Sequence, residues 1–132
     1  MKLLLDTHTF LWAAFSPRKL SARARSALID QENEVAVSSL SFWEISLKFS
    51  LGRIALEGCT PEELPTVAVQ MQFEILQADV NDMASFHALP RTAHKDPFDR
   101  MIIWQAIRLG RTLVSKDGQF VAYQDHGLKV LW

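Results

Sequence analysis

Short apolar runs that stop at an acidic or hydroxyl residue, each followed by a helical pattern, recur along this chain. That alternation constrains the fold more than any other feature. Lys2 to Leu5 is such a run, closed by Asp6, and Thr7 to Phe15 reads as an apolar helix that stops before Pro17. Ser21 can cap a helix to about Asp30, Glu34 to Ser38 is strand-like, and a helix from Ser39 or Ser41 runs to Leu51 before Gly52. Thr60-Pro61-Glu62-Glu63 carries the signature of a capping box and opens a helix to about Gln70. Phe73 to Leu76 is the third strand, and Asn81 opens a helix that ends near Pro90. Asp96-Pro97 starts a longer helix through Leu109, closed by Gly110, and Thr112 to Ser115 and Leu128 to Leu131 are the last strands. Strands alternating with helices dictate an α/β fold with a mainly parallel sheet covered on both faces. In such sheets ligands bind beyond the carboxyl ends of the strands, where the strand order reverses.

At 132 residues the chain is expected to form a single domain spanning 1–132, large enough for a core without a disulfide or structural zinc. The lone Cys59 can form neither and fits a reducing, cytoplasmic compartment. No apolar run approaches the length of a membrane span, and Leu3-Leu4-Leu5 is too short for the apolar region of a signal peptide. The formal net charge of −1 leaves no overall positive field to attract nucleic acid, so a polyanion must be held by a local patch or a metal.

The acids gather where the fold places its ligands. Asp6 follows the first strand, Glu44 lies early in the helix after the second, Asp96 and Asp99 open the helix before the fourth, and Asp117 follows the fourth. Carboxylates brought to one rim repel one another and stay ionised only if a cation or strong donors offset the charge. Magnesium or manganese suits all-oxygen ligands. Each acid also has a structural reading. Asp6 and Asp96 sit where helix caps belong, Glu44 stands three residues after Ser41 as in a capping box, Asp99 suits the helix dipole, and Asp117 before Gly118 suits a turn. Local rules do not choose between them.

Four segments carry a resemblance. Leu3-Leu4-Leu5-Asp6-Thr7-His8-Thr9-Phe10-Leu11-Trp12, Ser38-Ser39-Leu40-Ser41-Phe42-Trp43-Glu44-Ile45, His94-Lys95-Asp96-Pro97-Phe98-Asp99-Arg100 and Leu113-Val114-Ser115-Lys116-Asp117 look like the four acidic motifs of PIN domains. Their order and wording most resemble the VapC toxins of bacterial type II toxin–antitoxin systems. The resemblance covers essentially the whole chain. It implies a three-layer fold around a central parallel sheet, a magnesium- or manganese-dependent endoribonuclease acting on RNA, and a cognate antitoxin of the VapB type. Matched position by position, Asp6, Glu44, Asp99 and Asp117 are the metal-site acids, and Ser115 stands where the family often has threonine. His8 occupies the position at which haloacid-dehalogenase phosphatases need a second aspartate, which speaks against that class.

Around these acids, His94, Lys95, Arg100, Ser115 and Lys116 are candidates for substrate contact, because basic side chains supply much of the affinity for nucleic acid. Trp12, Phe15 and Trp43 are candidates for a groove that takes an antitoxin helix, and so apolar a small domain is expected to bury some surface in a homodimer. The competing readings are a nuclease of the same fold acting on structured DNA and a catalytically silent PIN-like module that binds RNA or protein. Four retained acids speak against the silent module.

Overall fold

The computed structural model describes all 132 residues. Five strands, β1 (Lys2–Leu5), β2 (Glu34–Ser38), β3 (Glu74–Leu76), β4 (Thr112–Val114) and β5 (Lys129–Leu131), form one sheet in the order β3-β2-β1-β4-β5. Every pairing is parallel, with Leu5 opposite Val37 on one side and Val114 on the other. Strands added after β1 first extend the sheet on one side and then, from β4, on the other. The order therefore reverses between β1 and β4.

Because alternate residues of a strand face opposite ways, the apolar β1 supplies both faces at once. Leu3 and Leu5 join Val35, Val37 and Val114 in a core closed by α1 (Thr7–Phe15), α2 (Ala22–Ile29), α3 (Ser39–Ser50) and α4 (Leu64–Gln70), with Phe10, Ala24, Ile45 and Leu64 buried. Leu4, Ala36 and Leu113 face the second core, which α6 (Pro97–Leu109) closes through Ile102, Ile103 and Ala106. The short α5 (Val80–Ser85) packs beside α6. The expected three layers are present, and all five strands are parallel. No helix is long and apolar enough to cross a membrane.

Three local departures have physical causes. The helix expected from Pro61 is a 3-10 turn over Pro61–Glu63 followed by α4, because Pro65 has no N–H to donate to the carbonyl four residues back. α5 begins at Val80 because Asp79 accepts from the backbone N–H of Asn81 and Asp82. The segment Gly118–His126, to which the sequence pattern assigns no element, is an extended 3-10 helix that buries Phe120 and Tyr123 in the second core.

Candidate active site

Asp6 and Ser115 stand at the carboxyl ends of β1 and β4, the two strands between which the sheet order reverses. Asp6 N–H donates to Val114 O at 3.2 Å, continuing the ladder one residue past β1. The Asp6 side chain caps α1, Oδ1 accepting from Thr9 N–H at 2.7 Å, while Oδ2 accepts from Ser115 Oγ at 2.5 Å. Both oxygens are thus oriented, one by the first turn of α1 and the other by the residue that follows β4. Burial pushes the Asp6 carboxyl above its usual range, and the Ser115 and Thr9 bonds oppose the rise.

Asp99 reaches the same end of the sheet from the first turn of α6. Asp96 caps that helix through a 2.9 Å bond from Asp99 N–H, so the capping reading of Asp96 holds. Burial, then repulsion from Asp96 and Glu44, raises the Asp99 carboxyl to about 6, against the stabilising contact of His94 Nε2, 3.2 Å from Asp99 Oδ2. Asp117 caps the 3-10 helix after β4, Oδ1 accepting from Gln119 N–H at 2.9 Å. Asp6, Asp99 and Asp117 line one cavity of about 300 Å³ with His8, Trp12 and Lys116. Cap and cavity wall are compatible roles, since a carboxylate has lone pairs beyond the one the helix uses.

Glu44 is placed differently. It lies inside α3 with 1% of its surface exposed and does not line the cavity. The cap of α3 is Ser38, so Ser41 and Glu44 form no capping box. Instead Thr7 Oγ1 donates to Glu44 Oε1 at 2.6 Å and pairs with Ser41 Oγ at 2.9 Å, and Lys48 forms an ion pair with Glu44 Oε2. Burial alone would lower the Lys48 ammonium, but the Glu44 bond and charge, with Asp96 and Asp99 behind them, raise it. Two triads of donor atoms lie within mutual reach, His94-Asp99-Asp117 and Glu44-Asp96-Asp99, and Asp99 is common to both.

The remaining expected residues divide by position. Lys116 is exposed at the cavity, its Nζ 6.0 Å from the Trp12 ring centroid. Ser115 is buried and occupied with Asp6, which makes it a support for that acid and takes it out of reach of a substrate. His94 is also buried, wedged between Asp99 and Tyr123, whose hydroxyl lies 3.3 Å from His94 Nδ1. Lys95 and Arg100 do not reach the acidic cavity; they line a neighbouring hollow with Arg91. Trp12 and Phe15 line a groove of about 280 Å³ with Leu11, Ala55 and Leu56. Trp43 is not in that groove: it is exposed and packs edge-on to Phe98 at 5.0 Å. The cause is rotation along α3, which turns residue 44 inward and residue 43 out. Thr7, Lys48 and Tyr123 escape the sequence reading. Lys48 had a signal, its i,i+4 spacing from Glu44, whereas Tyr123 reaches the site from a segment with none. The largest cleft, about 490 Å³ between Ile29, Glu34 and Glu74, opens at the amino ends of the strands, away from all these acids.

The pattern that describes the PIN domain matches residues 3–125. The chain belongs to the PIN domain family. It is 30% identical over 130 residues to ribonuclease VapC22 of Mycobacterium tuberculosis, covering 98% of each chain. Among solved structures it resembles a chain of VapBC2 from Rickettsia felis, bound to a promoter DNA fragment, with a TM-score of 0.71, 17% identity and coverage of 99% and 98%. It also resembles a chain of FitAcB from Neisseria gonorrhoeae, with a TM-score of 0.64, 22% identity and coverage of 98% and 96%. At those identities the two structures speak for the PIN fold.

Proposed function

We propose that this chain is a divalent-cation-dependent endoribonuclease that hydrolyses RNA phosphodiester bonds and acts as the toxin of a toxin–antitoxin pair. The observation that carries the reading is the convergence of Asp6, Asp99 and Asp117 on one cavity at the switch point of a PIN sheet. The near-full-length likeness to a mycobacterial ribonuclease supports it.

The donor set fits a hard cation. All three side chains offer oxygen, and a bound cation would oppose the rise of Asp99 to about 6, which burial causes first and the charges of Asp96 and Glu44 add to. Magnesium or manganese, held by Asp6, Asp99 and Asp117, supplies an activated water and charge stabilisation at the phosphodiester when bound. Glu44 is already offset by Lys48, so we assign it the roles of fixing Thr7 next to Asp6 and of adding negative charge behind Asp99. Ser115 and Thr9 orient Asp6, and His94 orients Asp99. Lys116, beside Asp117, meets the negative charge of the substrate.

Restraint by a VapB-type antitoxin fits the groove of Leu11, Trp12 and Phe15, which abuts the acidic cavity because Trp12 lines both. The exposed pair Trp43 and Leu47, four residues apart on α3, supports a homodimer.

The test is cleavage of matched single-stranded RNA and structured DNA by the purified chain with Mg2+, with EDTA, and with Asp6→Asn. RNA cleavage that is lost in EDTA and in Asp6→Asn is expected. Cleavage of the DNA alone favours the DNA nuclease, and binding without cleavage of either favours the silent module.

A further inference from the structure

The neighbouring hollow to which Lys95 and Arg100 belong has a volume of about 310 Å³ and is lined by Arg91, Thr92, His94, Lys95 and Arg100, without an apolar side chain or a carboxylate. None of its three cations takes part in an ion pair. Arg91 and Lys95 are exposed, and their side chains make no hydrogen bond within the chain. Arg100 is held rigidly: Nη2 donates to the carbonyls of Leu89 and Pro90, each at 3.2 Å, and the guanidinium lies over Phe86 at 5.0 Å. Its Nε is buried with no acceptor. Three cations without a carboxylate partner, two of them exposed and the third fixed in place, form a site suited to an oxyanion.

The basic hollow and the acids are linked through neighbouring residues. Between them lies a second hollow of about 310 Å³, floored by Thr92, Ala93, His94, Gly118 and Gln119. It begins at Gly118, next to Asp117, where nothing stands within 4 Å of an added Cβ, and it shares Thr92 and His94 with the basic hollow. His94 in turn touches Asp99.

We propose that Arg91, Lys95 and Arg100 form a subsite for a backbone phosphate of single-stranded RNA, displaced along the strand from the bond at the acids. This rests on the ribonuclease reading. A chain of net charge −1 with an acidic cavity repels a polyanion at that cavity, and the subsite supplies the local attraction that its overall charge does not.

The test uses the Asp6→Asn chain, so that RNA stays intact, with Mg2+ and an unstructured labelled RNA of about a dozen nucleotides over a range of salt. Adding Arg91→Glu and Lys95→Glu is expected to weaken binding about tenfold and to lower the salt slope by about 1, since each single-strand phosphate contact contributes about 0.7 to it. The same charge change at Lys2 and Lys129, exposed at the amino ends of the strands, is the control. Equal loss in both pairs, or an unmoved slope in the first, overturns the subsite. Cleavage of the same RNA by the unmodified chain is measured alongside: its absence, with no RNA binding, overturns the ribonuclease reading, whereas cleavage with an unmoved slope overturns the subsite alone.

Discussion

Lys48→Met isolates the support behind the acidic cavity. The methionine keeps most of the stem and removes the ammonium, leaving Glu44 buried beside Asp96 and Asp99 with Thr7 as its remaining partner. Removing one member of a buried ion pair costs about 3 to 5 kcal/mol, and Lys48, with 24% of its side chain exposed against 2% for Glu44, places this case at the lower end, about 3 kcal/mol. In a domain of this length that is a fall in Tm of about 10 °C. Circular dichroism melts in EDTA at pH 7 measure it. Glu44→Gln on top of Lys48→Met takes away the unpaired buried charge and should recover most of the loss. A loss below about 1 kcal/mol, or one that Glu44→Gln leaves unchanged, refutes the pairing as the source of stability.

Three further outcomes follow from the same geometry. Asp99 binds its proton more tightly folded than unfolded, about 6 against 3.8, so without metal the stability should fall as pH rises from about 4 to about 6; after solvent screening the fall is about 1 to 2 kcal/mol. Mg2+ or Asp99→Asn should flatten that fall, and stability rising across the window contradicts it. Ser115→Ala removes a bond to a buried carboxylate and should cost about 2 kcal/mol in chemical denaturation, with Ser115→Thr retaining most of it; an equal loss in both variants disproves the hydroxyl's role. Phe15→Ala, at an exposed edge of the apolar groove, should weaken binding of the proposed VapB-type antitoxin by about 2 kcal/mol in calorimetry without lowering Tm; unchanged affinity removes the groove from that interface.

How much of this was legible in the sequence differs from residue to residue. The strands and α6 were, because a run such as Leu3-Leu4-Leu5 is buried on both sides of a parallel sheet and Asp96-Pro97 and Gly110 mark the ends of a helix by local chemistry. Asp6 and Asp117 were legible as acids at strand ends. That Asp6 is also a cap was visible, whereas Asp117 before Gly118 read as a turn residue; in the structure each is at once a cap and part of the cavity wall. The position of Glu44 was not legible, since spacing alone fits a capping box, a cavity wall and a buried pair; Thr7, 37 residues away, decides it. Trp43 was misplaced for a related reason: adjacent helical residues point about 100° apart, so proximity in sequence to Glu44 does not put it in the groove of Trp12. The His94–Tyr123 contact comes from a 3-10 segment whose pattern carries no period.

Whether Asp6, Asp99 and Asp117 hold the catalytic cation is decided by an anomalous difference map from crystals soaked in Mn2+. A peak in the cavity, bonded by carboxylate oxygens of these three residues, is expected. A peak confined to Glu44, Asp96 and Asp99, or no peak at saturating Mn2+, contradicts it.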